Sequence, residues 1–440
     1  MSDQLTGQPV NPSTTYDLII VGCGAAGLMA GIWAGRTARA AGRSLAIAAL
    51  DSATSPGAKI LVSGGGRCNV THDMVTMKDF AGSALRPVGH ILQTFTVADT
   101  ITFFAELGVQ LKREETGKLF PVTDKARTVL DALLHAAAQA GVRLLPGHRV
   151  TGITGTPTGF ALNAIVGHLK PEICPLKAPR LILATGGQSL PKTGSDGSGY
   201  ALARSLGHTI TPPFPALVPL VLPQDHWLTT LSGISIDALL SVQTGRGKVL
   251  HRQAGSLLLT HFGLSGPAVL DLSRHWIAAH TTDPAATVTA NLLPGQTFDQ
   301  LDGHFVSQAA NRPRMAVAEA LRSRVHLPAR LADALCQQQA GIDPRTALGQ
   351  VPREARRRLA HALTALPLPV VGDRGFLFAE VTAGGVPLSE IDPATLASRK
   401  AAGLYLCGEI LDVDGRVGGY NFQWAWCTGR LAGQSAVGGG

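Results

Sequence analysis

Cysteine is sparse and scattered in this chain. Its six cysteines, at 23, 68, 174, 336, 407 and 427, form no C-x-x-C pair and no Cys/His cluster. Neither a metal site nor a disulfide framework is indicated, and the thiols read as reduced, in a cytoplasmic setting. Residues 1–15 lack both a basic n-region and an apolar core and hold two prolines, so they read as a disordered tail. Charge is missing from one stretch: 18 uncharged residues separate Asp17 from Arg36, long enough for a membrane span. Five of them are glycines (22, 24, 27, 31 and 35), and a strand, a turn and a helix explain the run better than a membrane does.

Charge is present but unevenly spread. The formal net charge is +8 over 440 residues. Ten arginines (312, 314, 322, 324, 330, 345, 353, 356, 357 and 358) lie from Arg312 to Arg358 with no lysine and only four acids, an excess of six. That stretch is either an electrostatic footprint for RNA or a solvated helical face. No aromatic residue interleaves with the arginines as base stacking would require, which favours the solvated face.

The apolar pattern predicts an α/β fold. YDLIIVG at 16–22 reads as a buried parallel strand, 25–42 as a helix and SLAIAALD at 44–51 as the next strand. Helices are expected over 97–108 and 126–140, and strands around Val150 and over 180–187. From about 208 to 295 the pattern turns to short alternating strands, and from about 296 to 366 it is mostly helical. A strand returns at 404–409, with a helix from about Gly419. The expected domains are a tail (1–15), a Rossmann-like nucleotide-binding domain built from both chain ends (16–207 and 371–440), and an inserted β-rich, barrel-like and helical domain (208–370).

GCGAAG at 22–27 matches G-x-G-x-x-G between a strand and a helix. Gly22 permits the tight turn, Gly24 lets the backbone approach a pyrophosphate, and Gly27 lets helix and strand pack closely. The helix N-terminus, at Ala25 and Ala26, would face the phosphates. Asp51, at the end of the second strand, stands where an acid binds ribose hydroxyls. The far end of the chain selects FAD over NAD. CGEILDVDGRVGGYN at 407–421 has the order of a late flavoprotein strand ending in glycine and acid, followed by a helix whose N-terminus faces the flavin ring. Gly408, Glu409, Asp414, Gly418, Gly419, Tyr420 and Asn421 are placed for this. Ala184, Thr185, Gly186 and Gly187 add a backbone crossover beside the cofactor.

These segments resemble the BaiN/YhiN-like flavoproteins, also described as aminoacetone-oxidase-like FAD-binding enzymes. The resemblance is carried by GCGAAGLMAG (22–31), GAKILVSGGGRCNVTH (57–72), LATGGQSLPKTGSDGSGYALARSLGH (183–208), GSLLLTHFGLSGPAVLDLS (255–273), VTAGGVPLSEID (381–392) and LYLCGEILDVDGRVGGYNFQWAWCTGR (404–430). It is weak from about 275 to 370. It implies non-covalent FAD, with binding roles for Ala25, Asp51, Lys59, Ser63, Gly64, Cys68, Val150 (through its backbone), Glu409, Asp414 and Asn421. It leaves the substrate open, since members are linked to amine oxidation, to reduction of unsaturated rings and to dihydrouridine formation in ribosomal RNA.

SGGGRCN at 63–69 occupies the position where disulfide reductases carry two redox cysteines, yet it holds one. A dithiol relay is absent unless Cys23 or Cys427 folds close to Cys68. Gly64, Gly65 and Gly66 would let the backbone pass close to phosphate or flavin, with Ser63, Arg67 and Asn69 beside them. Cys68 either packs along the flavin or acts as an acid or nucleophile, its pKa lowered if Arg67 faces it. Two further weak catalytic candidates are His261 and Tyr420. His72 and His208 also sit in family-like strings, and Trp424 could wall the flavin or pack the core. A second G-x-G-x-x-G to seat NAD(P)H is missing, so NAD(P)H as direct reductant stays open. The expected activity is hydride transfer between a small molecule, or NAD(P)H, and the flavin. The alternative is a ribosomal RNA reductase that grips RNA through the Arg312–Arg358 region. The third reading is a flavin-binding sensor or scaffold without catalysis. No membrane partner is expected, and the oligomeric state is open.

Overall fold

Short apolar runs with no charge in their interiors pair most stably where both faces are covered, and five of them do so here. A computed structural model describes residues 14–167 and 172–438. Leu18–Val21 (β1), Ile47–Leu50 (β2), Val142–Leu145 (β3), Arg180–Leu183 (β4) and Leu404–Leu406 (β5) form one parallel sheet in the order β5-β4-β1-β2-β3. β1, β2 and β5 are buried along their whole length. The helices expected at 25–42, 97–108 and 126–140 run over Ala25–Ala40 (α1), Val97–Glu106 and Ala126–Gln139. Thr96 and Asp99 close a capping box on the second of these.

The C-terminal helix, Tyr420–Gly438 (α2), lies against α1. Gly429 and Gly433 set that approach, since a Cβ on either would overlap the carbonyl oxygens of Ala26 and Ala30 on α1. The two chain ends are thereby joined twice, through β5 on the sheet and through α2 on α1.

The described residues divide into two compact units, one from 14–214 with 381–438, the other Pro215–Glu380. The sequence pattern had put the divisions after 207 and 370. Residues 1–13 of the expected tail lie outside the described residues. Thr14–Thr15 are a strand that pairs in parallel with Leu176–Lys177. Val150 lies on His148–Thr156, an edge strand of that same four-stranded sheet.

The second unit holds a seven-stranded antiparallel sheet and its own apolar core. The sheet's edges are Leu366–Leu368 and Gly372–Asp373, separated by only three residues. A flat sheet of seven strands would hold its edges about 29 Å apart. The connection reaches at most about 14 Å, so the sheet must curl. Within the stretch expected as strands, Pro267–Thr282 is a 16-residue helix. Pro267 at its start and buried Ala268, Leu272, Trp276 and Ala279 at helical spacing explain the correction. Helices Phe298–Asn311, Val317–Val325, Ala329–Leu335 and Arg353–Ala365 follow.

Candidate functional site

The fingerprint glycines divide into two kinds. A Cβ on Gly22 would overlap the Ala184 carbonyl, and one on Gly27 would overlap the Gly22 carbonyl, so protein packing alone demands both glycines. Gly24 is different, because a Cβ there meets nothing within 4 Å. Gly24 caps α1, whose first turn carries no acid and no side-chain cap. The space beside Gly24 is therefore open at the positive end of α1, where the chain turns into Ala25 and Ala26. Asp51 accepts from Cys23 N–H and Ala53 N–H, each at 2.8 Å, so its carboxylate also orders the turn. Burial pushes its pKa up, against the pull of those two N–H groups.

SGGGRCN ends a kinked helix. The helical run Ala58–Gly66 breaks at Ser63 (ψ 147), and Gly64, Gly65 and Gly66 follow with φ of 55, 68 and 86. Three successive left-handed residues without side chains leave their backbone exposed, and a Cβ on Gly65 would meet nothing within 4 Å. The Ser63 hydroxyl donates to Ile60 O at 2.8 Å. Arg67 does not face Cys68. It bonds Glu114 at 2.7 Å and lies over the Phe120 ring, its guanidinium carbon 4.0 Å from the ring centroid. Cys68 is fully buried, and burial pushes its thiol up to about 12. The expected lowering by Arg67 is therefore corrected. Cys23 and Cys427 are also buried and free, and Cys427 Sγ donates to Phe95 O at 3.0 Å.

Glu409 is a hub. It accepts from Lys59 Nζ at 2.6 Å, from the Ser189 hydroxyl at 3.0 Å and from Thr382 N–H at 2.8 Å. Thr382 Oγ1 in turn accepts from Gln188 N–H and Ser189 N–H. Gly187 fits closely against this pair, because a Cβ there would crowd Thr382 and Glu409. Gln188, Ser189 and Thr382 escaped sequence reasoning, although each lies in a motif-bearing string. Only the bonds that join Gln188 and Ser189 to Thr382, and Ser189 and Thr382 to Glu409, reveal their part.

At the start of α2, the Asn421 side chain holds the Gly415 backbone at both ends, accepting from its N–H at 2.8 Å and donating to its C=O at 2.9 Å. Asp414 is buried on Val413–Gly415, which pairs with Phe80–Gly82. Tyr420 stacks on His72 with ring centroids 4.9 Å apart, and Gly418 lies beside both rings. Gly419 abuts the Thr71 backbone. Trp424 is buried and donates to Gly408 O at 3.2 Å, a core role.

Some candidates stand elsewhere. His261 is an exposed residue of the second unit. His208 is buried and bonds Glu390 at 2.8 Å and Ser398 Oγ at 2.7 Å. Ser398 Oγ already accepts from the N–H groups of Lys400 and Ala401, so its hydroxyl donates to His208 Nε2 and its lone pairs are taken. This chain of contacts resembles a hydrolase triad but is a structural latch. The arginines are largely engaged. Arg356 and Arg357 pair with Asp302, Arg322 with Glu319 and Arg345 with Asp343, while Arg330 and Arg358 bond the carbonyls of Thr230 and Ala340.

Whether these residues suit a flavin dinucleotide can be judged from the space and the polar atoms they leave. Gly24 and Gly65 face open space. Asn69 Oδ1 and Thr185 Oγ1 are buried without a hydrogen-bond partner in the protein. The positive end of α1 completes an arrangement that suits a phosphate-bearing, hydrogen-bonding ligand. Among the described residues no group of three or more His, Cys, Asp and Glu is placed to hold a metal, and no helix is long and apolar enough to cross a membrane.

Comparison with known proteins agrees with this geometry. Residues 16–435 match the HI0933-like protein Rossmann domain family. The 3-dehydro-bile acid delta(4,6)-reductase of Clostridium scindens is 35% identical, over 95% of this chain and 98% of its own length. The ribosomal RNA dihydrouridine synthase of Escherichia coli is 33% identical, over 96% of this chain and 98% of its own. Among solved structures, the E. coli quinol fumarate reductase subunit FrdA aligns with 97% of this chain and 71% of its own at a TM-score of 0.50 and 18% identity, a likeness of fold alone. The chain therefore belongs to the HI0933-like Rossmann-domain family of FAD-dependent oxidoreductases.

Proposed function

We propose that this oxidoreductase transfers hydride between a small unsaturated ring substrate and FAD, with NAD(P)H as the source of the hydride. The single observation that carries this reading is the state of Cys68. A fully buried, free thiol in a segment that holds one cysteine offers no dithiol relay, so the two-electron step falls to the flavin itself. Bound FAD supplies a reversible hydride acceptor. The chain's residues bind and orient it. The N–H groups at the start of α1 would receive the pyrophosphate, and Asp51 the ribose. The SGGG backbone and the crossover Ala184–Gly187 would flank the flavin, with Lys59 and Glu409 holding that crossover to Thr382. The start of α2 would direct its positive end at the ring and favour negative charge on it. The relative named for delta(4,6) reduction of a 3-dehydro-bile acid supports a ring substrate.

The relatives named as ribosomal RNA dihydrouridine synthases favour a second reading, reduction of a uracil ring in RNA. Both readings require the same flavin and differ in what covers it. The test is anaerobic. Purified protein should absorb near 450 nm as a flavoprotein, and NADH or NADPH should bleach it. Reoxidation by a conjugated cyclic ketone supports the first reading. Loss of a dihydrouridine from ribosomal RNA in a deletion strain would replace it with the second. Colourless protein that takes up no FAD would sink both.

A further inference from the structure

One arginine of the inserted unit stands against two aromatic rings and pairs with no carboxylate. The strand Leu220–Val221 pairs with Gly263–Ser265 on one side and with Gly372–Asp373 on the other. At its two ends Leu222 N–H donates to Phe262 O and Arg374 N–H donates to Pro219 O, each at 3.1 Å. The Arg374 side chain reaches the Phe262 ring, its guanidinium carbon 4.3 Å from the ring centroid. Gly375, in the left-handed region at φ 71, then turns the chain back, and its carbonyl accepts from Phe378 N–H at 3.0 Å. That turn sets the centroid of the Phe378 ring 3.5 Å from the same carbon.

Contact with two rings restricts the guanidinium and leaves its N–H groups unused. Among the described residues, the Arg374 side chain makes no ion pair and no hydrogen bond. Its neighbour Asp373 turns Oδ1 onto Gly375 N–H at 2.7 Å instead. The rigid fork of N–H donors therefore stays available, and such a fork matches the two oxygens of a carboxylate. The surroundings narrow the choice of anion. Val371, Leu377 and Phe378, on the same segment, are 61%, 59% and 45% exposed. Residues 371–380 carry one cation against two acids, Asp373 and Glu380. A polyanion such as RNA calls for several cations and meets a net negative segment here. A single carboxylate on an apolar body matches both the single fork and the apolar residues beside it.

We infer that Arg374, held by Phe262 and Phe378, binds the carboxylate of a small apolar acid. All three residues belong to the inserted unit, and recognition there draws on no cofactor. That unit therefore has a ligand chemistry of its own, apart from the flavin's.

The full chain, as purified, is titrated by calorimetry with 1-naphthylacetate and with 1-naphthylacetamide, its uncharged counterpart. The parent should bind the acid at least about tenfold more tightly than the amide, the ordinary effect of a charge-assisted, bidentate bond. Arg374→Gln should erase that preference, weakening the acid about tenfold while the amide stays within about twofold. A parent that does not bind naphthylacetate at millimolar concentration overturns the inference, as does a preference for the acid that survives in Arg374→Gln. Equal weakening of acid and amide also overturns it, since Arg374 would then only pack or hold the fold. An oligouridylate that binds more tightly than naphthylacetate, and loses that affinity in Arg374→Gln, replaces the small acid with RNA. None of these readouts involves the flavin, so failure here leaves the hydride-transfer reading standing.

Discussion

At the scale of single residues, the fingerprint glycines invite a clean separation of folding from binding. Gly24→Ala adds a methyl to open space at an extended backbone position, so the expected cost is about 1 kcal/mol or less, the weaker helix cap. Gly27→Ala forces a methyl onto a backbone carbonyl and should cost more, about 1–3 kcal/mol or above. Thermal melts should therefore rank G27A well below G24A, while FAD titration should show G24A at least tenfold weaker than the parent. A G24A protein that binds FAD normally would contradict a pyrophosphate at that turn. Cys68 gives a second test. Its thiol, buried and pushed up to about 12, stays protonated at neutral pH. Burial that raises a thiol stabilises the fold below the unfolded-state value near 9, and that contribution is lost as pH rises from there towards 12. Native protein should resist iodoacetamide at Cys68 at pH 8. Cys68→Ala should keep the rate of flavin reduction within about threefold, whereas loss of a catalytic acid would cost about 100-fold or more.

At the scale of elements, the Rossmann strands and the fingerprint helix were legible because local pattern and final environment agree. An uncharged apolar run such as LIIV has few fates other than a buried strand. Pro267–Thr282 was not legible, because it is embedded among strands and its helical spacing had to compete with theirs. The kink at Ser63 was also hidden, since the sequence announces glycines but not which way they turn. Glu409 and Lys59 were named from a motif, while their shared partner Ser189, and Thr382 bonded to Glu409, could be found only from contacts in the folded chain, those of Ser189 spanning more than a hundred residues. The seam between α1 and α2 belongs to this scale too. Gly433→Ala would push a methyl into the Ala30 carbonyl, so the helices must separate. The expected loss is about 1–3 kcal/mol, read as a lower melting temperature. On the proposed placement of the start of α2 against the flavin ring, FAD affinity should fall with it.

At the scale of the whole molecule, the basic stretch looks less like a clamp than its sequence suggests. Arg356 makes two bonds to Asp302, which it holds below the ordinary carboxylate range. Arg356→Ala should therefore lower the melting temperature of the inserted unit by a few degrees, for a loss of about 1 kcal/mol. It should leave any affinity for RNA, and the dependence of that affinity on salt, nearly unchanged. Arg312, Arg314 and Arg353 are exposed. If RNA is the substrate, replacing these three with alanine should weaken binding and flatten the slope of log affinity against log salt by about one unit for each phosphate no longer neutralised. Filter binding at several salt concentrations measures it. An unchanged slope in the triple variant removes this surface from consideration.

The order of the parallel sheet carries a consequence for how the protein is made. β5 is the last of the five strands to leave the ribosome, yet it sits beside β4, next to β1. Between the synthesis of Leu183, which ends β4, and that of Leu404 lie roughly 10 to 45 s of elongation at about 5–20 residues per second. During that interval the strands and helices of the inserted unit emerge in turn and can fold, while β4 waits with an open edge and α1 with an uncovered face. The nascent chain therefore passes through a stage with one finished body and one half-built sheet.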